Sequence, residues 1–139
     1  MRCDVVSVHG KIHSGEISML IASGAAGELG ITPRHAPLMT TLRPGAIRLV
    51  DREGEESTFV IGGGILEVMP HLVTVLADSA VRADNFDVEA AKRARQLAEQ
   101  ELKQGGNTME LAEAEALLRR TVEQMRALEE WRRRVQHRK

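Results

Sequence analysis

Through the first 83 residues, apolar positions come in short blocks or alternate with polar ones, and then the period changes. Runs rich in Val, Ile, Leu and Thr fall at 3–8, 17–22, 38–42, 46–50, 57–61, 65–68 and 72–76, with Gly, Pro, Asp and His gathered between them. Residues 51–56 form a charged turn in which Gly54 can take a positive φ. Many short strands in about 80 residues predict an all-β sandwich or flattened barrel. The stretch 27–38, GELGITPRHAPL, reads as a connection between strands. Its glycines and prolines interrupt the pattern, and a carboxylate, an arginine and an imidazole sit within it.

After Asp84 a helical period begins. Ala90, Ala91, Ala94, Leu97, Ala98 and Leu102 recur at three- and four-residue spacing. Gly105-Gly106-Asn107 ends this helix. Thr108 is the expected N-cap of a second helix, with Asn107 competing. That helix places Leu111, Ala114, Leu118, Val122, Met125, Leu128 and Val135 on one stripe. The pair is an antiparallel helical hairpin. The expected division is therefore a sandwich over 1–84 and a hairpin over 85–139. Alanines bury little area each, at roughly 25 cal/mol per Å². The hairpin is thus expected to be held less firmly than the sandwich and to be able to detach.

Composition narrows the function. The 139 residues carry a formal net charge of −1, so no global field draws the chain to nucleic acid or an acidic membrane. With two Phe, one Trp and no Tyr, base-stacking platforms are not expected. Cys3 is the single cysteine, so no internal disulfide or cysteine metal cluster can form. Neither a signal peptide nor a membrane-spanning helix is expected, and any membrane association would run through a partner.

The candidate chemistry is sparse. Gly62-Gly63-Gly64 lacks a following GK[ST], so it reads as a tight bend rather than a phosphate loop. His9 and His13 lack a third ligand nearby and read as surface histidines rather than a zinc site. No nucleophile elbow or acid–base pair is recognisable, which argues against a self-contained enzyme. The basic end, 131–139, has two readings. It complements a helix C-terminus and aids solubility, or it docks on an acidic protein surface or a phosphate. RNA binding is a weaker third reading.

In order along the chain stand Cys3-Asp4-Val5-Val6-Ser7, then Gly27-Glu28-Leu29-Gly30-Ile31 with His35-Ala36-Pro37-Leu38, then Arg43-Pro44-Gly45 with Ile47-Arg48. Gly63-Gly64-Ile65-Leu66-Glu67-Val68 and Val73-Thr74-Val75-Leu76-Ala77-Asp78 follow. With these motifs the chain resembles, nearly end to end, the epsilon subunits of bacterial F-type ATP synthases. The resemblance implies a ten-stranded β-sandwich carrying a C-terminal helical hairpin. It implies a non-catalytic subunit of the rotor's central stalk, without cofactor or metal and monomeric when isolated. It would lie peripherally on the cytoplasmic face of the bacterial inner membrane and couple proton passage through the c-ring to rotation.

The resemblance also assigns residues. Glu28, Leu29 and Gly30 would touch the c-ring. Ser7, His35, Thr40, Gly62, Glu67 and Thr74 would lie on or near the gamma-facing surface. The hairpin would permit turnover when folded down and block ATP hydrolysis when extended along gamma. Arg119, Arg120, Arg126, Arg132, Arg133 and Arg134 would then meet acidic segments of the beta subunits in the alpha/beta head, for a few kcal/mol at most.

Two departures stand out. Arg34 replaces the usual glycine of a PGHAP pattern, at a cost of about 1 kcal/mol if φ is positive there. Some relatives bind ATP through a first-helix pattern of Ile or Leu, Asp, two variable residues, Arg and Ala. Here it reads Phe86-Asp87-Val88-Glu89-Ala90-Ala91, with alanine in place of the arginine. Weak or absent ATP binding is expected at this degenerate site, unless Arg93 or Arg95 compensates. The competing readings are a β-sandwich adaptor that binds another protein through its GELG loop and, third, a small hydrolase.

Overall fold

The computed structural model describes residues 1–137, so Arg138 and Lys139 of the basic end lie outside the described residues. Ten strands come first: β1 (Arg2–Ser7), β2 (Gly10–Glu16), β3 (Met19–Gly24), β4 (Gly27–Ile31), β5 (Leu38–Leu42), β6 (Gly45–Val50), β7 (Glu56–Ile61), β8 (Gly64–Val68), β9 (Leu72–Ala77) and β10 (Ala80–Arg82). A short 3₁₀ turn at Ala83–Asn85 leads to α1 (Val88–Gln104) and α2 (Thr108–His137). The expected sandwich with a helical hairpin is what forms.

The sheet runs β10-β7-β6-β3-β5-β8-β9-β1-β2, with β4 added on β3. All pairings are antiparallel except β1 with β9. The pleat alternates buried and half-exposed positions along β1, β6 and β9. The inward rows, including Leu20, Ile31, Ile47, Leu49, Phe59, Ile61, Leu66 and Val75, form one aliphatic core around a single aromatic ring. Cys3 lies in this core, where burial, with Asp4 beside it, pushes its thiol up to about 12.

Three strands were not apparent from the sequence. β2 is long but mostly polar, with a glycine at its start and another within it, and β10 is only three residues long. β4 lies within the stretch read as a connection, yet Gly27–Ile31 pairs along its whole length with β3. Leu29 and Ile31 alternate inward there, and backbone pairing outweighs the low strand propensity of glycine. The connection proper is 32–37. At residues 51–56 the expected turn forms, with Gly54 at φ 84°. Gly62–Gly63 makes the expected bend between β7 and β8, with Gly63 at φ 99°.

In the hairpin, Asp87 caps α1 by accepting from the Ala90 amide at 2.9 Å. Asn107, not Thr108, caps α2, its side chain accepting from Glu110 N at 2.8 Å. The stripes also need correction. Leu97 is 61% exposed and Val135 37%. Ala98, Ala114, Thr121 and Leu128 are the buried positions. The Thr121 hydroxyl donates to Leu117 O at 2.7 Å, which satisfies the one buried polar group on the stripe.

It is α2 that packs on the sheet, over β6 and β7. Its seat is a small cluster of Val60, Ala83 and Leu128, edged by Val81, Phe86, Val88 and Trp131. Val60 lies on the opposite face of β7 from Phe59 and Ile61. The hairpin seat and the sandwich core are therefore separate apolar clusters on the two faces of one strand.

Candidate interaction surfaces

Register alone assembles the first surface. Met39 pairs with Glu67, Glu67 with Thr74, and Thr74 with Asp4, giving one row across four strands. The next row joins Thr41, Ile65, Leu76 and Val6. Met39 is 67% exposed, and Ile65, Met69 and Leu76 are also exposed. Exposed apolar residues gathered in this way, with charge at their edge, make this a candidate contact surface. At that edge the Asp4 carboxyl is held below the usual carboxylate range, chiefly by the Ser14 hydroxyl and then by Lys11 and Arg2.

The six expected gamma contacts do not all fall on this surface. Glu67 and Thr74 are adjacent on it. Thr40 occupies the other row of β5, with Leu38 and Leu42, whose partners include the buried Val68. Ser7 is 8% exposed on the inward side of β1, where its hydroxyl accepts from His9 N at 3.2 Å. His35 is half-buried, with Nδ1 donating to Ala36 O at 2.7 Å. The neighbouring Arg34 has φ 65°, and its amide donates to Pro70 O at 3.2 Å. That bond fastens the 32–37 connection to the β8–β9 turn. Gly62 is buried beneath α2, against Arg120 and Gln124.

Sequence reasoning missed the apolar members of this surface, Met39, Ile65 and Leu76. The signal was alternation: each is the apolar residue out of phase with the inward row of its strand.

The second surface is the β3–β4 ribbon. Glu28 is exposed opposite Ser23, Leu29 leans on the core, and Gly30 is exposed. Glu28 also borders a cavity of about 190 Å³ that reaches under α2. Arg43 and Arg48 enter it from the sandwich, Arg126 and Arg134 from the helix. Arg48 is paired with Glu56, and Arg126 with Glu123 at 3.4 Å.

The arginines of α2 split into groups. Arg119, Arg126 and Arg133 recur every seven residues and are all exposed, Arg126 at the rim of the cavity under α2. Each meets a carboxylate of its own helix: Glu115 at 3.6 Å, Glu123 at 3.4 Å and Glu129 at 3.9 Å. Such exposed pairs are each worth about 0.3–0.5 kcal/mol, so they can be exchanged for a partner's carboxylates at small cost. Arg132 is exposed; Arg120, also exposed, borders the cleft beside β10, and Arg134 is half-buried at the cavity under α2.

At the expected ATP pattern, a cleft of about 480 Å³ opens between the helices and β10. Asp87, Ala90, Ala91, Arg120 and Gln124 line it; Arg93 and Arg95 do not. Arg95 instead pairs with Glu99 at 3.2 Å. Among the described residues, no His, Cys, Asp and Glu cluster could hold a metal, and no helix is long and apolar enough to cross a membrane.

Residues 1–83 match the family profile of the ATP synthase delta/epsilon chain beta-sandwich domain, and residues 84–129 that of its long alpha-helix domain. The chain is 48% identical to the ATP synthase epsilon chain of Xylella fastidiosa over 137 residues, covering 99% of this chain and 98% of the relative. It is 50% identical to that of Acinetobacter baumannii over 136 residues, covering 98% of each. By shape it is similar to a chain in the Euglena gracilis mitochondrial ATP synthase (OSCP/F1/c-ring), with a TM-score of 0.73 and 22% identity, covering 91% of this chain and 78% of that one. A chain of the Tetrahymena thermophila ATP synthase central stalk and c-ring gives a TM-score of 0.60 at 14% identity, covering 88% and 93%. The chain belongs to the ATP synthase delta/epsilon family, as an epsilon chain.

Proposed function

We propose that this epsilon chain is a non-catalytic rotor subunit whose two parts divide the work. Residues 1–84 bind gamma and the c-ring, and residues 85–139 regulate. The outer rows of β5, β8, β9 and β1 face gamma, with Glu67 and Thr74 among exposed apolar neighbours. The β3–β4 ribbon, with Glu28, Leu29 and Gly30, faces the polar loops of the ring on the cytoplasmic side of the bacterial inner membrane. The hairpin restrains ATP hydrolysis when it leaves the sandwich and extends into the alpha/beta head.

The separateness of the hairpin seat supports this reading. Val60, Ala83 and Leu128 can part without opening the core around Phe59 and Leu66. An element bound through a small cluster of its own can move as a body between two states. On release, Arg120 and Arg134 come free of the sandwich to join Arg119, Arg126, Arg132 and Arg133.

Truncation after Asp84 is the test. The assembled complex should keep gamma and the c-ring on co-purification while its ATPase activity rises. Unchanged activity would remove the inhibitory part of the proposal, and loss of assembly would remove the division of work.

A further inference from the structure

β2 and β10 end the sheet order, so the sandwich closes where these edges approach, with β1 also against β10. Three side chains meet at this seam. The His13 ring lies 5.5 Å from that of Phe59, centroid to centroid, at an interplanar angle of 58°. The Arg82 guanidinium carbon stands 5.5 Å from the same Phe59 centroid. Phe59 is fully buried, and Arg82 is its register partner across β7–β10.

A β-bulge brings His13 there. Val5 pairs with His13 and Val6 with Lys11, so Ile12 is the extra residue. The bulge puts Lys11 on the outer face, 3.8 Å from Asp4, while His13 turns inward with Val5. The surface position expected from the sequence is therefore a half-buried one. Its ring faces Arg82 from β10 and an uncharged Phe59 from β7. Asp4 of β1 attracts the charged ring from the other face, but it already serves Ser14, Arg2 and Lys11. Burial first, and then Arg82, hold the imidazole below its ordinary value, against the opposing pull of Asp4.

The seam has a consequence for the hairpin because β10 is only three residues long. It is held by three register pairs to β7, and it runs directly into Ala83. Ala83 is part of the cluster that seats α2.

We propose that His13, Phe59 and Arg82 form a proton-sensitive latch at the seam. A proton on the half-buried His13 places an imidazolium beside the exposed Arg82 guanidinium over the buried Phe59 ring, loosens β10, and through Ala83 weakens the seat of the hairpin. Acidification thereby favours release. Only the effect of this release on hydrolysis rests on the function proposed above; the latch is a property of the isolated chain.

The sign follows from linkage. The unfolded or opened chain takes its proton near the ordinary histidine value of about 6.5, the latched chain at lower pH. The latch is at full strength above about 6.5 and weakens as pH falls, until the latched form also protonates.

Hydrogen exchange of the intact isolated chain between pH 7.5 and 5, corrected for intrinsic rates, tests this beside His13→Phe and His13→Gln. Wild-type protection at 80–86 and at 124–131 should fall by up to about tenfold per pH unit, the limit for one proton. Both variants should lose this dependence while retaining the fold by circular dichroism. Three results would each overturn the latch: variants that keep the wild-type pH response, loosening at 80–86 with 124–131 unchanged, or a His13 ring titrating at or above the ordinary value by NMR.

Discussion

A Cβ atom placed on Gly62 would stand 3.1 Å from Cδ of Arg120 and 2.6 Å from Oγ of Ser79. α2 thus settles over a position that has no side chain. Overpacking at such a contact costs about 1–3 kcal/mol. Gly62→Ser should therefore shift the hairpin away from the sandwich and raise exchange across 117–128, with the main core unaffected. Adding Arg120→Ala should recover part of the loss. If exchange in α2 is unchanged in Gly62→Ser, the close approach at this glycine does not govern docking.

Arg34 sits at φ 65° in an exposed connection. A non-glycine residue in this left-handed region costs about 1–2 kcal/mol, partly offset by the unfolded-state freedom that glycine adds. Arg34→Gly should raise stability by about 1 kcal/mol, read as a higher urea midpoint at unchanged slope. A lower midpoint would show that the arginine side chain repays its backbone strain through contacts of its own.

Leu128 is the large apolar anchor of the hairpin seat. Truncating a buried leucine costs about 2–5 kcal/mol. In Leu128→Ala that loss should appear as faster exchange in α2 and at 80–86, while Leu66, Val68 and Val75 amides keep their protection. Equal loss in both halves would mean that sandwich and hairpin unfold as one unit.

The cleft beside Asp87 carries a single arginine, Arg120, on its wall. Asp87 itself is occupied in capping α1. Isothermal calorimetry on the isolated chain should detect ATP binding weaker than micromolar or none. Ala90→Arg restores the missing cation where the wall is alanine. It should tighten binding by roughly 10- to 150-fold, the equivalent of one charge-assisted bond of about 1.5–3 kcal/mol. Micromolar affinity in the unaltered chain would show that Arg120 suffices.

How much of the surface was legible depended on where each residue sat. Glu67 and Thr74 were named from motifs, and the β8–β9 register brought them side by side. Thr40 and Ser7 came from the same reasoning, yet their strands turn them to the inward rows. Strand phase decides this, and a motif does not carry phase. The strand β4 was hidden because glycine-rich sequence scores as a turn; its pairing with β3 is a tertiary fact. His13 was misjudged because one bulged residue, Ile12, reverses which face its neighbours take.

The sequence by itself determined the two periods and the break between them near Asp84. It determined the aliphatic core, the turn at 51–56, the bend at Gly62–Gly63, and the family. These follow from spacing and residue type, which act over a few positions along the chain. Only the tertiary structure decided that α2 rather than α1 covers the sheet, that Gly62 lies beneath Arg120, and that His13 closes a seam with Phe59 and Arg82. Each of these joins residues more than 20 positions apart. Such contacts depend on strand order, bulge phase and the direction in which a helix returns, and no local pattern encodes them.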